Sequence, residues 1–375
     1  MQSPRSPRSP RSPTSPRQEL SVSVTHVTVD FGAPVFHISA QTPLSGYLRS
    51  TCAATRLHKE LDRLYEYLCS AFPEHIPPVP PSAAIGPGAA EREVLRAAAE
   101  AFLQRVADHD VFRISEGFKM FLESDFEFVP PPATPPRRPA TGLLRAFGSS
   151  LSNVKEVDVF FDQARAATTA METGLLALGK AIEKAAKVEK ECAKATGEVG
   201  TQLSTMTLNE NKTIVRATRT LGKGFLTCEK QRADQAVYLG GRLTSTLLTT
   251  QLRNAHTAQA ALEHRTRTLL EYETACRNTQ KKLQAMERLR STSRIQQEKV
   301  DAALDELQEA KQVEAECRAQ FRSASDVLKT EHPAFAALQE RELAQILNEY
   351  ARCQAADSRK QLENWEQVLA DISIA

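Results

Sequence analysis

Residues 262–283 read LEHRTRTLLEYETACRNTQKKL, and in them Leu262, Leu269, Cys276 and Leu283 recur every seven positions. Tyr272 and Met286 fall on the second position of the same seam. A seven-residue repeat buries a narrow stripe against another helix, so this stretch reads as a coiled-coil or dimer seam. Working outward from it, Val154–Ala375 contain a single proline, Pro333, out of 20 in the chain. Proline removes a backbone donor and clashes inside a helix, so the C-terminal three-fifths can be nearly continuous rod. Three helical runs are predicted, 153–206, 208–286 and 293–372, with breaks near Thr205–Asn211 and Arg290–Ser293. Pro333 should kink the third run without ending it, because Leu338, Leu343, Ile346, Leu347 and Tyr350 resume the apolar seam. Three slender rods leave one side open, with Val300, Leu304, Leu307, Phe321, Leu328, Leu347, Trp365 and Leu369 to cover. Dimerisation is the expected solution.

The other nineteen prolines lie before residue 154 and divide that part differently. Residues 1–19 repeat Ser-Pro-Arg, with Arg5, Arg8, Arg11 and Arg17 and no acid before Glu19. Such a tail has nothing to bury and is expected to be disordered, and its Ser-Pro pairs suit phosphorylation. From Leu20 to Leu48, Val22, Val24, Val27, Val29 and Phe31, then Val35, Phe36 and Ile38, alternate with small polar residues, the pattern of strands. Thr55–Phe72 reads as a helix, Ile76–Gly88 as a proline-rich loop, and Glu91–Arg105 as a second helix. This is a compact α+β domain over 20–128. Residues 129–152 form a stiff proline-rich linker ending in a short amphipathic helix, and 153–375 form the all-α helical domain.

Bulk numbers exclude several classes. The seven cysteines contain no CxxC pair and the eight histidines are dispersed, which argues against a disulfide frame, a metal site or a resident cofactor. No glycine-rich phosphate loop or nucleophile motif is present, so no enzyme and no catalytic residue is expected. The formal charge of +2 is small, and no nucleic-acid partner is expected. No apolar run approaches the ~20 residues of a membrane span, and no signal core opens the chain. A cytoplasmic protein touching membranes peripherally is the resulting expectation.

Three stretches resemble one family. Val154-Lys155-Glu156-Val157-Asp158 with Phe160-Phe161-Asp162-Gln163 is similar to the opening of the BAR domain in sorting nexins 5, 6 and 32. Phe102–Val106 with Phe118–Glu123 resembles the closing helices of their PX domain, and Arg265–Glu273 a segment of the second BAR helix. The resemblance covers about 20–375 and implies a PX–BAR sorting nexin: an α+β PX-like domain followed by a three-helix antiparallel BAR coiled coil that dimerises. It further implies a curved scaffold on early endosome membranes and tubules, working in endosome to trans-Golgi network sorting. Its partners would be another PX–BAR sorting nexin or itself, an anionic endosomal membrane, and transmembrane cargo tails.

The same resemblance locates candidate sites. A PX pocket grips phosphatidylinositol 3-phosphate with an arginine, an aromatic floor, a lysine and a second arginine. Here Leu57 stands at the phosphate arginine beside Arg56, His58 at the aromatic, Ser82 at the lysine, and Arg96 one residue late for the last position. The pocket is therefore expected to be degenerate, with Arg56 a surface charge and the domain turned to protein or cargo. The long helical hairpin of the subgroup is missing, since only Pro81–Ala90 fill its place, but an exposed strand edge could still take a peptide. Leu143, Leu144, Phe147 and Leu151 share one helical face suited to wedging a bilayer. Lys281, Lys282, Arg288, Arg290 and Arg294 form a basic tip for an anionic leaflet. Lys180, Lys184, Lys187, Lys190 and Lys194 interleave with glutamates and read as a salt-bridged face.

Overall fold

A computed structural model describes residues 20–83, 88–132, 156, 158–206, 212–244, 250–291 and 297–373. The chain divides into two compact units, one of Met1–Tyr67 with Ile85–Pro132, the other of Leu68–Ala84 with Ala133–Ala375.

In the first unit, Val22 and Val24 point inward and Ser21 and Ser23 outward, which gives strand β1 (Ser21–Asp30) one buried face. A register shift between Val24 and His26 interrupts the alternation. Phe31 and Gly32 close a tight hairpin with φ of 45° and 81°, the positive values that a two-residue turn needs between right-twisted strands. Strands β2 (Ala33–Gln41) and β3 (Thr51–Leu57) complete an antiparallel sheet in the order β1-β2-β3. Here the sequence reading needs correction. Thr55, Arg56 and Leu57 are the last residues of β3, paired with His37, Phe36 and Val35, and helix α1 (His58–Ala71) starts only afterwards.

Helix α2 (Ala89–Asp108) lies along β1, and a short 3-10 turn leads to α3 (Glu116–Glu123), capped by the Ser115 hydroxyl accepting from Phe118 N–H. The core is rich in phenylalanine: Phe36, Phe102, Phe112, Phe118, Phe121 and Phe128 are all buried. The outer edge of β1 is not open over Leu20–Val24. Gln104 Oε1 and Glu100 Oε2 accept from the N–H groups of Val22 and Val24, each at 2.9 Å, and Arg96 Nη1 donates to Val24 O at 2.8 Å. Side chains of α2 thus satisfy the edge that a peptide would otherwise use.

The second unit holds the rods. Helix α4 (Val159–Thr205) opens on Asp158, whose carboxylate accepts from Phe160 N–H at 3.0 Å. It packs along α5 (Lys212–Val237) so closely that a Cβ on Gly222 would sit 2.7 Å from Gly200 O, so only glycine fits there. The second rod was predicted as one helix but changes pitch: Tyr238–Leu243, containing Gly240-Gly241, is a wide π turn before α6 (Leu252–Ser291). Two adjacent glycines and the following Thr244-Ser245-Thr246 have weak helix propensity, which lets the turn widen. Helix α7 (Gln297–Ser373) runs unbroken through Pro333, as the resumed apolar periodicity required.

The seam of residues 262–283 closes inside one chain. Leu262 sits in an apolar cluster with Phe161, Ala164, Ala258, Ala261 and Leu328, and Leu269 is equally buried. Cys276 is half-buried and Leu283 is 38% exposed. At its buried end, then, the heptad seam serves the protomer's own bundle. The apolar residues left for a partner lie elsewhere, among them Leu176, Val199, Ile214, Leu226, Leu347 and Leu369, on the stretches where α4, α5 and α7 run together.

Candidate functional sites

Alternation along β3 puts Cys52, Ala54 and Arg56 on the buried face. Arg56 is 1% exposed, not a surface charge. Its Nε donates to Phe121 O at 2.9 Å, Nη1 to Thr55 O at 3.0 Å and Phe126 O at 3.1 Å, and Nη2 to Ser124 O at 2.5 Å. The guanidinium lies 5.4 Å from the Phe121 ring centre and 4.0 Å from Glu60. Burial lowers its pKa, opposed by the charge of Glu60. Glu60 completes the knot by accepting from Leu57 N–H and Phe128 N–H, each at 2.6 Å. A fork that matches phosphate here holds the 121–128 strand of chain in place.

The other residues of the expected pocket are equally engaged or displaced. His58 is buried with Nδ1 3.1 Å from Asp62, and Leu57 is half-buried. Arg96 pairs with Glu93 at 2.9 Å and Glu100 at 2.9 Å, and hydrogen bonding to Glu93 raises its pKa. Ser82 is half-buried and belongs with the second unit.

In the second unit, two of the motifs quoted above meet. Glu156, 3% exposed, receives Arg265 Nη1 and, at 3.3 Å, Arg165 Nη2. Arg265, 1% exposed, lies 3.8 Å from the Phe161 ring centre and 4.9 Å from that of Phe321, and its Nε donates to Ser325 Oγ at 3.2 Å. Lys329 reaches Asp158 at 2.7 Å, and hydrogen bonding from Lys329 lowers that carboxyl's pKa. The start of α4 is thus fastened to both α6 and α7.

Lys329 also ends a row the sequence reading missed. Lys311, Arg318, Arg322 and Lys329 are spaced seven, four and seven residues apart along α7, all exposed. That spacing keeps them within about 40° of one another on a 3.6-residue helix. Glu298, Asp305, Glu309 and Glu316 repeat the same spacing some 140° around the helix and nearer its start, so the two rows overlap only over 311–316, and Glu314 and Asp326 flank the cationic one. Charge-by-charge spacing would have shown both rows; tracking only the apolar period hid them. At the tip, Lys281, Arg288 and Arg290 are exposed, and Lys282 is paired with Glu306. Arg294 and the amphipathic residues Leu143, Leu144, Phe147 and Leu151 lie outside the described residues.

These features coincide with known families. A model described as Vps5 C terminal like matches residues 138–371, and the PX domain model matches 47–125. The chain belongs to the Vps5 C-terminal-like family. With its PX domain, it is a PX–BAR sorting nexin. Solved structures similar to this sorting nexin include the EFC/F-BAR domain of Drosophila Syndapin/PACSIN, at 13% identity, TM-score 0.22, covering 57% of this chain and 80% of that one. The N-terminal I-BAR domain of D. discoideum IBARa matches at 13% identity and TM-score 0.27, covering 55% and 90%. Among curated proteins none matches. No described helix of this sorting nexin is long and apolar enough to cross a membrane.

Proposed function

We propose that this sorting nexin is a non-enzymatic scaffold that dimerises, lies on curved anionic membrane of early endosomes and tubules, and serves endosome to trans-Golgi network transport. The observation that carries the membrane reading is the exposed cationic row of α7, Lys311, Arg318, Arg322 and Lys329. Its cationic row ends at Lys329, which pairs with Asp158 at the start of α4. The amphipathic residues Leu143 to Leu151 precede that point in the chain by only a few positions. Dimerisation is supported by the exposed apolar residues shared by α4, α5 and α7, which a second protomer would cover. The partner is another PX–BAR sorting nexin or a second copy. The PX domain recruits protein in place of phosphatidylinositol 3-phosphate, because Arg56 and Arg96 are spent on internal contacts. Cargo tails, if they add as a strand, would use the distal half of β1 around Val27–Asp30, beyond the side chains of α2.

Vesicle sedimentation tests this. Leu144→Ser with Phe147→Ser, and separately Lys281→Glu with Arg288→Glu and Arg290→Glu, are each expected to lower binding to phosphatidylserine vesicles at least tenfold, at about 1 kcal/mol per surface cation. If both variants sediment like the wild type, the protein is a soluble coiled-coil adaptor. Light scattering of mixtures with candidate PX–BAR partners reports the dimer.

A further inference from the structure

The cationic row of α7 contains a discrete groove. Thr279 of α6 and Lys311, Glu314, Arg318 and Arg322 of α7 line an open depression of about 440 Å³, a size within the usual range of small-ligand sites. Thr279 forms part of its wall and donates its hydroxyl to Ala310 O at 3.2 Å, which ties the two helices together there. Of the four cations in the row, Lys329 is neutralised by Asp158, and no ion pair within 4.0 Å forms at the other three among the described residues. Glu314 is the single acid lining the groove, against the three cations Lys311, Arg318 and Arg322. Asp326, four residues after Arg322, flanks the row but does not line the groove, and Glu309 and Glu316 lie on the far side of the helix.

We infer that this groove binds a ring carrying two or more phosphates. Arg318 and Arg322 are one turn apart, about 6 Å along the axis, and Lys311 is two turns away, about 10 Å. Two guanidinium forks at that separation can each take one phosphate of a single ring in bidentate fashion, and the flexible lysine stem reaches a third position. Singly charged lipids would meet the three cations one at a time and gain no such convergence. This site rests on the membrane reading above and deepens it: the lipid selectivity that the PX pocket has lost would be supplied by the helical domain. The shared chemistry belongs both to a polyphosphorylated phosphoinositide headgroup and to a soluble inositol polyphosphate.

Full-length protein is tested on phosphatidylcholine vesicles holding either a phosphatidylinositol bisphosphate or phosphatidylserine at matched total charge, with inositol hexakisphosphate as soluble competitor. Wild-type protein is expected to prefer the bisphosphate vesicles by about tenfold or more, the scale of one charge-assisted contact. Arg318→Gln with Arg322→Gln, at exposed positions, should abolish the preference and leave phosphatidylserine binding and the melting temperature nearly unchanged. Competition by inositol hexakisphosphate without any vesicle preference would assign the groove to the soluble ligand. Equal affinity for the two charge-matched vesicles, with no competition, overturns the inference while the membrane reading stands. Failure to bind either vesicle, again with no competition, overturns both. Retention of the preference or of the competition in the double variant places the site elsewhere and also overturns the inference.

Discussion

Arg56 in the first unit and Arg265 in the second are each 1% exposed, yet they are kept inside by different means. Arg56 is solvated by backbone: four carbonyl oxygens surround it, and its nearest carboxylate, Glu60, stands off at 4.0 Å while serving two N–H groups. Arg265 is solvated by side chains: a buried carboxylate, one hydroxyl and the faces of two rings. Carbonyl dipoles tie the guanidinium to one conformation of a nearby loop, whereas an ion pair with aromatic faces joins whole helices. The contrast also separates function. In the PX domain Arg56 and Arg96 are taken up by internal contacts, and in the helical domain Lys311, Arg318 and Arg322 stay on the surface.

The sharpest way to break that comparison is Arg56→Met, which leaves four carbonyls, one buried and three part-buried, and Glu60 without the guanidinium, and is expected to cost about 3–5 kcal/mol in urea unfolding followed through the first unit. A cost under about 1 kcal/mol would mean water replaces the guanidinium there. Glu156→Gln leaves Arg265 without its buried carboxylate and should cost about 3 kcal/mol, read in the helical unit alone. An equal loss in both units would show that the two arginines are not independent fasteners.

His332 sharpens the helical side further. It is buried, with Nε2 3.2 Å from Thr168 Oγ1, and burial lowers its pKa from 6.5. The folded state therefore favours the neutral ring. Its contribution is complete above the unfolded value of 6.5 and is lost as pH falls through the lower folded value. Thermal melts between neutral and mildly acid pH should show this loss, and His332→Gln should reduce it. The smallest effect is a gain. Phe31 occupies φ 45° with its side chain fully exposed, so Phe31→Asn is expected to stabilise the hairpin by about 1 kcal/mol in denaturant titration.

Much of the fold is legible because helical and strand periods are local. The scarcity of proline and the run from Leu262 to Leu269 announce the rods, and Val22 and Val24 announce β1. Leucine spacing from Leu57 onward places the helix start already at Thr55, although Cys52, Ala54 and Arg56 alternate as a strand, and Arg56 is expected on the surface only because the phosphate pocket around it is degenerate. Leu283 keeps the heptad in sequence but is partly exposed, because a repeat specifies a stripe and not the helix that covers it. The tip cations show the same limit. Lys282 is neutralised by Glu306, 24 residues away, which no count of basic residues near a helix end reveals.

By itself, then, the sequence determined the order of a strand-rich domain and three long rods, together with the rows of charge on α7, since these follow from spacing along one element. Tertiary structure alone decided which charges are spent and which are free. Glu156 and Arg265 are 109 residues apart, and Arg56 and Phe126 are 70 apart. The electrostatic state of a side chain depends on what folding brings within a few ångströms of it, and that neighbourhood is written in no single stretch of the chain.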